Sequence, residues 1–201
     1  MANAPHVKWH YRIDISTRWG QNYGQLDDLV NWVVISGEAG DWHWPNLRYR
    51  NTLNARQEQW AWYGTGPAPQ DPGIGHAQRI LQAWAQGLDG GVPYWDNFQT
   101  SWDQAKALSM VYSGRKVPGF GMYEGPVMSI RVKMMRQAQQ IVELANLLAQ
   151  QDGWNRERVM NALLKSYGDG QWERSFTGLT QEKLSRLRED LMATLSPYFI
   201  K

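Results

Sequence analysis

Two short aromatic segments on either side of one helix-sized stretch constrain this chain most: Trp60-Ala-Trp-Tyr-Gly-Thr-Gly66 and Ala83-Trp-Ala-Gln-Gly-Leu-Asp-Gly-Gly-Val-Pro-Tyr-Trp95. Each segment has a four-residue aromatic or β-branched run that reads as a strand, Trp60 to Tyr63 and Val92 to Trp95. Between them, residues 75–87 place Ile80, Leu81 and Trp84 on one helical face, with Gly87 near the end. The breaker-rich run Gly64-Thr-Gly-Pro-Ala-Pro-Gln-Asp-Pro-Gly73 reads as the connecting loop. Strand, helix and strand at this spacing predict a parallel βαβ unit.

The same alternation extends toward the amino terminus. Val7 to Ser16 alternates and reads as a strand ending near Asp14, and Asn31 to Ser36 is a compact apolar run suited to a strand covered on both faces. Leu26 to Val30 and residues 47–58 supply helical stretches. Four strands in βα alternation predict the carboxyl-terminal half of a (β/α)8 barrel, whose site is built by the loops at the carboxyl ends of the strands. The predicted division is 1–152 for that half-barrel and 153–201 for a helical extension.

The last third of the chain is legible as helices from period alone. From Ser129 as N-cap to about Gln151, Ile130, Met134, Ala138, Ile141, Ala145 and Leu148 recur at helical spacing. A second helix runs from Asn155 to Gly168 with Val159, Met160, Leu163, Leu164 and Tyr167 inward. Thr180 caps a third, carrying Leu184, Leu187, Leu191 and Leu195, with Pro197 placed beyond its end.

Twelve Trp and nine Tyr against four Phe bias the aromatics toward rings with a polar handle. Trp19, Trp42 and Trp44 fall in loops beside Gly, Asp, His and Pro, where a stacking platform for a sugar explains them better than a core does. A net charge of +2 without a basic run argues against a nucleic-acid partner. The absence of cysteine excludes disulfides and thiolate metal sites. Four scattered His without ligand spacing predict no metal, and no apolar run is long enough for a membrane span. The first residues lack the features of a signal peptide, and no cofactor motif stands out. Gly64-x-Gly66 and Gly73-x-Gly75 lack both the Lys-Ser/Thr ending and the third Gly of nucleotide loops.

Four segments in order, Tyr11-Arg-Ile-Asp-Ile-Ser16, Trp62-Tyr-Gly-Thr65, Trp84-Ala-Gln-Gly-Leu-Asp-Gly90 with Pro93-Tyr-Trp95, and Ser129 to Gln140, resemble the carboxyl-terminal part of the catalytic domain of glycoside hydrolase family 123. The resemblance implies a (β/α)8 barrel and a retaining, substrate-assisted β-N-acetylgalactosaminidase type of activity. In this scheme an adjacent Asp-Glu pair does the acid and stabilising work. No Asp-Glu dipeptide occurs in the chain; Asp27-Asp28 and Glu189-Asp190 read as solvated charges. The isolated chain is therefore expected to be inactive and to hold an N-acetylated sugar. Its barrel would be completed by a missing amino-terminal half or by a second copy. The resemblance suggests a secreted or periplasmic setting.

Within this scheme the expected substrate-binding residues are Asp14, Tyr63, Trp95, Asp96, Trp42 and Trp44. Asp14 and Asp96 would accept sugar hydroxyls, Tyr63 would present its phenol to the acetamido group, and Trp95 would floor the pocket. Among the histidines, His43 and His76 are placed in loops as the possible acid–base groups. The competing reading is a non-catalytic carbohydrate-binding or assembly module.

Overall fold

In the computed structural model the described residues are 12–15, 32–36, 59–64, 73–85, 87–93, 98–99, 110–119, 121, 123–167, 176 and 178–199. They fall in two compact units, one of residues 1–64 and 86–92, the other of residues 65–85 and 93–201.

In the first unit the β-branched and aromatic runs form strands β1 (Arg12–Ile15), β2 (Trp32–Ser36) and β3 (Gln59–Gly64). The two ladders are parallel. Ile13 lies opposite Val33 and Asp14 opposite Val34; Val34 lies opposite Ala61 and Ser36 opposite Tyr63. Strand β4 (Gly90–Pro93) stands next to β3 in the sheet order. It begins two residues earlier than the Val92 start the sequence suggests, with Gly90 and Gly91 inside the strand.

The second unit is where side-chain packing is richest. Helices α1 (Ile74–Ala85), α2 (Ile130–Ala149), α3 (Arg156–Tyr167) and α4 (Gln181–Phe199) share one apolar core. The stripe Leu184, Leu187, Leu191 and Leu195 of α4 is at most 3% exposed, and Ala77, Ala138 and Ala145 are essentially sealed. Small residues on α1 and α2 let the two backbones approach, while Phe176 and the leucines fill the remaining volume. Thr180 caps α4 as expected, with Lys183 N–H donating to its Oγ1 at 3.2 Å. Pro197, expected beyond the end, lies inside the last turn of α4. Only one intrahelical bond near the terminus is lost there, so the helix carries on to Phe199.

The half-barrel expectation is overturned. The second unit is mainly helical, and its small sheet has an antiparallel edge. Strands β6 (Val111–Ser113) and β7 (Pro126–Met128) pair antiparallel, Tyr112 opposite Val127, while β5 (Phe98–Gln99) adds only two residues. A (β/α)8 barrel has no antiparallel neighbours. The physical reason lies in the pattern after residue 95. The strands shrink to two or three residues, and the apolar residues from 130 onward repeat with the helical period. They bury themselves helix on helix rather than against a sheet.

One polar contact ties α1 to α2. Trp84 Nε1–H donates to Asn146 Oδ1 at 2.9 Å, and the Arg156 guanidinium lies 5.2 Å from the Trp84 ring centroid while donating to the Trp84 carbonyl at 2.7 Å. Trp84→Phe keeps a ring under Arg156 but removes the indole donor. A double-mutant cycle with Asn146→Ala, read by urea unfolding, should return a coupling of about 1 kcal/mol.

Candidate functional site

Of the six residues expected to bind a sugar, Asp14 and Tyr63 lie in described strands. The register puts Asp14 and Tyr63 on β1 and β3, with β2 between them, both in the carboxyl-terminal halves of their strands. Trp42, Trp44, Trp95 and Asp96 lie outside the described residues, as do His43 and Trp19. His76, expected in a loop, is in the first turn of α1 and buried.

The side chains that are brought together form a different site, a cavity of about 300 Å³ against α3 and α4. Its polar and aromatic lining is Trp154, Ser166, Tyr167, Asp190 and Thr194, over an aliphatic floor that includes Leu148, Val159, Leu163 and Leu191.

Local structure fixes the indole. The chain leaves α2 through Gly153 at φ 78°, a conformation that disfavours side chains with a Cβ, and Trp154 N–H closes the turn on the Gln151 carbonyl at 3.0 Å. Asn155 then caps α3, accepting from Arg158 N–H on Oδ1 at 2.7 Å. Arg158 bends back to donate to the Gly153 carbonyl and lies 4.7 Å from the Trp154 ring centroid. From α4, the Tyr198 hydroxyl accepts from Trp154 Nε1–H at 3.2 Å. Trp154 is thus held through its backbone, one ring face and its ring nitrogen.

Tyr167, in the last turn of α3, donates its hydroxyl to Asp190 Oδ2. Burial first, then this hydrogen bond and the Asp190 charge, push the phenol up to about 12, with Glu189 adding to the effect and Arg186 opposing it. The phenol therefore stays a protonated donor through neutral pH. Asp190 is exposed, and Tyr167 engages only one of its two oxygens. The Thr194 hydroxyl donates back to the Asp190 carbonyl at 2.7 Å, leaving its lone pairs toward a ligand as acceptors.

This arrangement can hold a small polar ring: an aromatic surface, a carboxylate, and three hydroxyl groups above an apolar floor. Among the described residues, Asp190 is the one carboxylate in its lining, whereas the two-carboxylate chemistry of glycoside cleavage needs a pair. A second cavity of about 240 Å³, beside Gln137, Ile141, Ser185, Arg188 and Met192, has no aromatic wall among the described residues. Among the described residues no group of His, Asp and Glu is arranged to hold a metal ion, and no helix is long and apolar enough to cross a membrane.

This site does not stand out in the sequence, where Asp190 reads as a solvated charge and Tyr167 as core. The available signal was Trp154 itself, an indole between Gly153 and Asn155 in a turn. Comparison with protein-family models, with curated proteins and with solved structures gave no match. The resemblance to glycoside hydrolase family 123 therefore rests on its four sequence segments alone.

Proposed function

We propose that this chain is a carbohydrate-binding protein, with an N-acetylated sugar as its ligand class. The observation that carries this reading is the Trp154–Tyr167–Asp190 pocket, where an immobilised indole stands beside a neutral phenol and a carboxylate. Sugars present C–H faces to indole rings and hydroxyl donors to carboxylates, so one pocket can satisfy both. The high proportion of Trp and Tyr across the chain, and Asp14 and Tyr63 near the carboxyl ends of parallel strands, agree with sugar recognition.

Calorimetric titration with methyl glycosides of N-acetylgalactosamine and N-acetylglucosamine tests the reading. Trp154→Ala and Asp190→Asn should each weaken binding about tenfold, the equivalent of ~1.4 kcal/mol. Tyr63→Phe serves as the contrast. Loss of binding in Tyr63→Phe but not in Trp154→Ala would move the site to the strands, and no binding to the unmodified chain would end the proposal.

The second reading, part of a substrate-assisted hexosaminidase, is favoured only by the segment resemblance. It requires a catalytic Asp-Glu pair from elsewhere. Turnover of a chromogenic N-acetylhexosaminide by the chain alone would favour an enzyme with a different catalytic pair.

A further inference from the structure

We infer that the paired amino ends of α1 and α2 form a binding site for a tetrahedral oxyanion, a phosphate or sulfate group. The two helices run side by side in the same direction. At one end, a Cβ on Gly73 would meet Ile130 Cγ2 at 3.5 Å and Met134 Cγ at 3.4 Å; at the other, Trp84 reaches Asn146. Their amino termini therefore lie together. Each helix end carries roughly half a positive charge, so the pair presents about one unit of positive potential at one place.

Proteins commonly answer such an end with an acidic side chain or a capping oxygen. No acidic residue occupies the first turn of α1 or of α2. Ser129 stands at the N-cap of α2, yet its side chain makes no capping bond. Cations occupy the first turn of α2 instead, with Arg131 4% exposed and Lys133 beside it.

The independent observation is a pair of buried polar atoms. His76, in the first turn of α1, is 5% exposed, and its Nε2 has no hydrogen-bond partner. Ser129 Oγ is likewise buried and unpartnered. Leaving such atoms unsatisfied costs their full desolvation, so their persistence points to a group that completes them. His76 faces the Arg131 charge and also feels Arg79; together with burial they keep its imidazole neutral near pH 7. A neutral imidazole can carry its proton on Nε2 and donate, as can the Ser129 hydroxyl. An oxyanion is the ligand that accepts from both and meets two helix ends. The Gly73-Ile-Gly75 turn lacks the Lys-Ser/Thr ending of a nucleotide loop, which limits the occupant to one oxyanion group rather than a polyphosphate.

The test is a titration of the whole chain followed by the imidazole nitrogen resonances of His76, at constant ionic strength, with inorganic phosphate, sulfate, O-phosphoserine and chloride. The first three should shift His76 saturably in the millimolar range, and chloride should not. Tighter binding of O-phosphoserine than of phosphate would place the group on a larger ligand; equal binding would make free oxyanion the ligand. His76→Gln, which keeps a donor in similar volume, should retain binding, while His76→Leu and Ser129→Ala should each lose about tenfold or more. Absence of a saturable shift, or equal binding in His76→Gln and His76→Leu, would overturn the proposal.

Discussion

Leu187→Ala is expected to remove about 3 kcal/mol of unfolding free energy from the helical unit. Leu187 is 0% exposed, at the centre of the α4 stripe, inside a core shared by all four helices. Truncation loses the transfer free energy of the deleted carbons and adds the cost of the void, which together span about 2–5 kcal/mol for buried leucines. The small residues Ala77, Ala138 and Ala145 in the same core limit how far neighbours can move in to refill the space. Met192 on the same helix is 49% exposed, so Met192→Ala should stay within about 0.5 kcal/mol of the parent. Urea unfolding followed by the helical far-ultraviolet signal measures both. Equal losses in the two variants would show that α4 is not seated by its leucine stripe.

The helices were readable from the sequence because their signal is local. Apolar residues three and four apart, a Thr180 cap and a Gly153 exit set the elements of the carboxyl-terminal third to within a residue or two. The strands β1 to β3 were also local signals, short apolar or alternating runs of the right length. The barrel was not local. Whether βα alternation continues depends on where later strands find partners, and the short segments at residues 98, 111 and 126 pair in a small sheet with an antiparallel edge. Pro197, a helix breaker by local chemistry, is inside α4, because a proline near the end costs a helix little. His76, expected in a loop, is in the first turn of α1, where packing buries it. The pocket was illegible for a different reason: Trp154, Tyr167 and Asp190 come from a turn and two helices, and only tertiary packing makes them neighbours.

Acid should destabilise the helical unit through His76, in a window that the burial of this one side chain defines. Its pKa falls from the ordinary 6.5 to about 4, by burial first and then by the charges of Arg131 and Arg79. Between those values the unfolded chain binds a proton at His76 that the folded chain refuses. The contribution is therefore fully present above pH 6.5 and is lost as pH drops toward 4. At 1.36 kcal/mol per unit, the loss approaches about 3 kcal/mol. Urea midpoints at pH 7.5, 6, 5 and 4 should fall more steeply in the parent than in His76→Gln, which has no proton to gain. Carboxylates titrate in both proteins, so the difference between the two curves isolates the imidazole. Parallel curves would mean that His76 charges as readily in the folded chain as in the unfolded one. The same measurement connects with the oxyanion site. A phosphate group beside His76 favours the charged ring, raises its folded pKa and shortens the interval over which stability is lost. Added phosphate should flatten the acid limb of the parent and leave that of His76→Leu unchanged.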